Sequence, residues 1–118
     1  MKILIPVDSD KVEVCQAFGR APFFAVKDTE KDSLTYINNP AANAEGGAGI
    51  KAAQAVIDES ASVLLTVRLG QNSADALKAA GIEIYKTDGP TVEENLEAYK
   101  NGKLSLLTKF HAGYHGIR

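Results

Sequence analysis

FFAVKDTEKDSLTYIN, residues 23–38, holds two runs rich in apolar, aromatic and β-branched side chains, separated by only four polar residues, Thr29-Glu30-Lys31-Asp32. A connection that short joins antiparallel neighbours, because a parallel pair needs a crossover of a dozen residues or more. The stretch reads as a β-hairpin. It decides the fold, because the rest of the chain has a different rhythm.

After the hairpin, Asn39-Pro40 and a run of small residues lead into a first helix, in which Ala52, Ala53, Val56 and Ile57 recur at helical spacing. Ser62-Val63-Leu64-Leu65-Thr66-Val67 suits a central strand covered on both faces. Residues 72–80 predict a second helix, capped by Asn72 or Ser73 and ended by Gly81, with Ala74, Leu77 and Ala80 inward. Ile82-Glu83-Ile84-Tyr85 is a short alternating strand. Thr91 and Glu94 have capping-box spacing at the start of a third helix, whose buried stripe is Val92, Leu96 and Tyr99. Before the hairpin, Ile3-Leu4-Ile5-Pro6-Val7 reads as a buried strand, with Pro6 where its missing N–H is not needed.

The order is therefore strand, hairpin pair, helix, strand, helix, strand, helix. It predicts an α/β domain with a mixed five-stranded sheet, one strand antiparallel, and three helices on its faces. The first and fourth strands should lie parallel and adjacent, with the hairpin on one flank and the fifth strand on the other. Ligands of such sheets favour the crevice beyond the carboxyl ends of the strands. That rim gathers the 8–22 loop, the 39–50 loop and the 68–72 turn.

A length of 118 residues fits one domain, and 45% hydrophobic with 24% charged residues is ordinary for a soluble globule. A net charge of −2 gives no general attraction to nucleic acid or to an anionic membrane. No apolar run approaches the roughly 18 residues of a membrane span. The single cysteine fits a reducing, cytoplasmic setting.

Each candidate for chemistry has a plain structural alternative. Gly46-Gly47-Ala48-Gly49 precedes a helix and could let backbone N–H groups approach an anion, or simply allow close packing; its spacing matches no nucleotide-binding fingerprint. Arg68-Leu69-Gly70-Gln71-Asn72 follows the central strand, where Arg68 either clamps an anion, or is simply solvated or paired with Asp8 or Asp10. Cys15 is either a small buried side chain or a soft-metal ligand. A nucleophilic role is disfavoured because the only histidines, His111 and His115, lie in the terminal segment. Those two, four residues apart, are weaker metal-ligand candidates. Asp8 and Asp10 lack the further carboxylates that a two-metal nuclease needs.

MKILIPVD, FGRAPFFAV, the Asn-Asn-Pro-Ala at 38–41, the Gly-Ala-Gly at 47–49, LGQNSADALKAAGIEIY and TVEENLEAYKNGKL together resemble the dinitrogenase iron–molybdenum cofactor biosynthesis family, from residue 1 to about 107. The resemblance implies a ribonuclease-H-like three-layer α/β fold over residues 1–107; residues 108–118, with Gly113 and Gly116, read separately as a flexible or partner-docked tail. It also implies non-catalytic binding or carriage of an iron–molybdenum or other metal–sulfur cluster, with cluster donor or acceptor proteins as expected partners; an ATPase is a partner that the interaction-module alternative below would take. Two positions depart from the family pattern. Ala17 stands where many relatives have a His before Phe-Gly-Arg, and Val67-Arg68 stands where many have a Gly-Asn turn. With no His at 17, Cys15 is the soft substitute, and Arg20 and Arg68 would balance an anionic cluster. The expected site comprises Cys15, Arg20, Gly47, Gly49, Arg68, Gly70 and Asn72, with Cys15, His111 and His115 as metal ligands. The alternative is a protein-interaction module that docks through the hairpin edge or the tail and holds no metal.

Overall fold

The computed structural model describes residues 1–111. The strands are β1 (Lys2–Val7), β2 (Phe23–Asp28), β3 (Ser33–Asn38), β4 (Val63–Thr66) and β5 (Glu83–Lys86), and the helices are α1 (Ala48–Asp58), α2 (Gln71–Ala79) and α3 (Val92–Lys100). They form one five-stranded sheet in the order β3-β2-β1-β4-β5. β2 is antiparallel to both β1 and β3, whereas β1, β4 and β5 are mutually parallel. This is the expected α/β domain with one antiparallel strand.

The hairpin is in unbroken register from Phe23↔Asn38 to Asp28↔Ser33. Its turn closes because Asp28 Oδ1 accepts from the N–H groups of Glu30 and Lys31, and Lys27 Nζ meets Asp32 Oδ1 at 2.7 Å. The pleat sends alternate residues to opposite faces. On one face Leu4, Phe24, Val26 and Leu64 pack against Ala52, Ala53 and Val56 of α1 and Ala74 and Leu77 of α2. On the other, Ile3, Ile5, Val7, Ala25, Val63 and Leu65 pack against Val92, Leu96 and Tyr99 of α3. Two helices on one face and one on the other make three layers.

Helix starts follow local chemistry, with one correction. α3 opens with the full capping box: Thr91 Oγ1 accepts from Glu94 N, and Glu94 Oε1 accepts from Thr91 N. α1 is preceded by Gly47 at φ 67°, a left-handed conformation that glycine adopts without steric cost. For α2 the expected caps, Asn72 and Ser73, are not used; Gly70 is the cap residue, without a side-chain bond. Burial of Leu69 and a backbone bridge from Gly70 to His111 start the helix earlier, so Ser73 becomes its third residue and is buried.

The segment after α3 returns along β5, where Lys86 N donates to Ser105 O and Leu107 N donates to Ile84 O. It then crosses to α2, where Phe110 packs on the core beneath Lys78, whose Nζ lies 4.5 Å from the ring centroid. Residues 112–118, including His115, lie outside the described residues. Among the described residues, no helix is long and apolar enough to cross a membrane.

Two buried asparagines, unmarked in the apolar pattern, tie loops to this frame. Asn39 Nδ2 donates to the carbonyls of Gly19 and Ala21, at 3.1 and 2.9 Å, and its Oδ1 accepts from Ala41 N. Asn95 Nδ2 donates to the carbonyls of Gly89 and Thr91, and its Oδ1 accepts from Asp88 N at 2.7 Å. Removing either side chain strands buried backbone groups. Asn95→Ala is expected to lower unfolding free energy by about 2–4 kcal/mol in urea titration; a loss within about 0.5 kcal/mol would show that water replaces these bonds.

Candidate functional site

Beyond the carboxyl ends of β1 and β4, three segments converge. The 8–22 loop is drawn in by Asn39, α1 begins at Ala48, and α2 begins at Gln71. They meet without side chains between them. A Cβ on Gly19 would stand 3.0 Å from Gly49 N, and a Cβ on Gly49 would stand 2.6 Å from Ser73 Oγ. Here glycine serves close approach, one of the two uses open from sequence.

Above this junction lies a cavity of about 410 Å³, lined by Gln16, Ala17, Phe18, Gly19, Arg20, Ala48, Gly49, Arg68, Leu69, Gly70, Ser73 and His111. Four expected site residues, Arg20, Gly49, Arg68 and Gly70, thus line the same cavity, and His111 joins them from the C-terminal segment. Among these lining residues there is no carboxylate. Arg20 Nη1 donates to the carbonyls of Ala44 and Ala42, and among the described residues it makes no ion pair. Arg68 is exposed and, among the described residues, makes no ion pair with Asp8 or Asp10. The positive ends of the α1 and α2 dipoles open on the same space. His111 N donates to Leu69 O at 3.2 Å and Gln71 N donates to His111 O at 2.9 Å, so backbone bonds hold the histidine at the cavity. Phe18 and Leu69 supply an apolar wall. Two arginines, helix N-termini and apolar surface, without a competing acid, suit a polarizable anion.

The other expected residues lie elsewhere. Gly47 precedes α1 and Asn72 is exposed on the first turn of α2; neither lines the cavity. Cys15 is half-buried one residue before the lining begins, with its N–H donating to Pro6 O at 2.9 Å. Burial pushes its thiol pKa up, the Ala17 N–H offsets part of that, and the neighbouring Asp8 carboxylate raises it further. At neutral pH the sulfur is therefore a protonated thiol beside a negative charge, a poor setting for binding an anion. Among the described residues, no group of three or more His, Cys, Asp or Glu side chains could hold a metal ion. Sequence reasoning missed Ser73 as a lining residue, because its spacing from Gly70 marked only a helix start.

Comparison with known proteins agrees with this architecture. The model of the family described as dinitrogenase iron-molybdenum cofactor matches residues 1–102. The chain is similar to the apo form of the orange protein of Desulfovibrio gigas, with TM-score 0.82 and 32% identity over 90% of this chain and 92% of that one. It is also similar to a Thermotoga protein provisionally called NifB and placed in the DUF35 family, with TM-score 0.77 and 32% identity over 92% and 95% of the two chains. An uncharacterized protein of Methanocaldococcus jannaschii is 25% identical over 107 residues, 88% of this chain and 89% of its own length.

The raised thiol pKa has a measurable consequence. Because only the thiolate is alkylated, the iodoacetamide rate at Cys15 is expected to reach its midpoint at a higher pH than free cysteine. Asp8→Asn removes one of the raising influences and is expected to move that midpoint down; a midpoint at or below that of free cysteine in the wild type would contradict the assigned environment.

Proposed function

The chain belongs to the dinitrogenase iron-molybdenum cofactor family, and on that premise we propose that it binds or carries an anionic metal–sulfur cluster or cofactor precursor, as cargo and without catalysis. One observation carries the reading: a cavity of about 410 Å³ has Arg20 and Arg68 in its lining and no acidic residue. In this reading the two guanidinium groups balance the charge of the cargo. Backbone N–H groups at Gly49 and Gly70 donate to its sulfides, and Phe18 and Leu69 cover its less polar surface.

The apo orange protein and the Thermotoga protein share the fold at 32% identity, which favours a cofactor-related role over an unrelated use of the same sheet. Cys15 stands beside this cavity as a protonated thiol, so the reading places retention on charge and hydrogen bonding, with thiolate ligation as the alternative the experiment separates. The handover partners in this reading are cluster donor or acceptor proteins; an ATPase is the partner the metal-free alternative would take. The exposed β3 edge, where Leu34 is 36% accessible, supports such docking and is the feature a metal-free interaction module would use.

The test is anaerobic incubation with tetrathiomolybdate, followed by desalting, visible absorbance and molybdenum analysis. Wild type is expected to retain the anion, and Arg20→Ala and Arg68→Ala each to weaken retention by about 10- to 100-fold, the range for a hydrogen bond to a charged group. Cys15→Ala is expected to bind as wild type does. Loss in Cys15→Ala with full retention in both arginine variants would assign the cargo to a thiolate instead, and absence of binding in wild type would leave the interaction-module reading.

A further inference from the structure

Ser73 combines three properties that do not belong together in a purely structural serine. It is only 5% exposed. It lines the arginine cavity as the third residue of α2. Its hydroxyl makes no hydrogen bond with any described residue, neither capping a backbone N–H nor bonding back to the preceding turn. A serine hydroxyl that bonds to no protein group loses no intramolecular hydrogen bond when it is replaced by alanine. Yet the hydroxyl is not sealed in: among the described residues, no fully enclosed side-chain nitrogen or oxygen lacks a partner. The remaining access of Oγ is therefore through the cavity.

We infer that Ser73 is a ligand-contacting residue, whose hydroxyl donates a hydrogen bond from the base of the cavity to a terminal sulfur or oxygen of the bound anion. This assignment rests on the cargo-binding reading above and adds to it a neutral donor that fixes the orientation of the guest, where the arginines supply charge. It also gives Gly49 a second role. A Cβ there would stand 2.6 Å from Ser73 Oγ, so the missing side chain keeps the hydroxyl free to turn toward the cavity. A hydroxyl donor meeting a full anionic charge makes a stronger bond than one meeting a neutral acceptor.

The experiment compares tetrathiomolybdate affinity and thermal melting of wild type, Ser73→Ala, Gly49→Ala and the double variant. Ser73→Ala is expected to melt at the wild-type temperature or above it while binding about tenfold more weakly, the lower end of what a hydrogen bond to an ion contributes. Gly49→Ala is expected to weaken binding in the wild-type background and to add little in Ser73→Ala, because the hydroxyl it crowds is already gone. Unchanged affinity in Ser73→Ala, with wild type binding normally, overturns the Ser73 assignment alone. A lower melting temperature with unchanged affinity also overturns it and assigns the hydroxyl to packing. If wild type binds no tetrathiomolybdate, the cargo reading falls and this assignment falls with it.

Discussion

The closest constraint in this molecule is steric. Three chain segments, the 8–22 loop and the first turns of α1 and α2, come together at Gly19, Gly49 and Ser73 with no room for a further carbon. Any side chain at Gly49 would run into Ser73, and any at Gly19 would press on the backbone of α1. The approach places two helix N-termini and two arginines around one space.

The sheet holds that junction in place. β1 and β4 lie parallel at its centre, so the loop after β1 and the turn after β4 emerge at the same edge. α1 arrives there because β3 ends at that edge too, as the antiparallel hairpin dictates. Asn39 then ties the 8–22 loop to the start of the 39–50 loop through three side-chain hydrogen bonds. The chain after α3 closes the far edge along β5 and brings His111 to α2. On the other edge, β3 pairs only with β2 among the described residues.

The contrast between Cys15 and Arg20 shows how environment divides nearby residues in one loop. Arg20 reaches the cavity, held by the carbonyls of Ala42 and Ala44 with no carboxylate beside it in the lining. Cys15, five positions earlier, turns toward Asp8 and is kept protonated by burial and that acid.

The sequence by itself determined the order of elements, the hairpin and the two-faced burial of the sheet, because these rest on local periodicity, short connections and capping chemistry. Thr91 and Glu94 marked their helix, and the four residues between β2 and β3 set the direction of the pair. The sequence also led to Arg20, Gly49, Arg68 and Gly70, since loops at the carboxyl ends of parallel strands meet by topology. Only the tertiary structure decided the rest: that Ser73 turns inward, that α2 starts at Gln71 without the expected side-chain cap, that Cys15 faces Asp8, and that Asn39 and Asn95 are buried ties. Each depends on groups distant in sequence meeting at ångström range, where helix rotation and loop path are set by packing and leave no trace in local patterns.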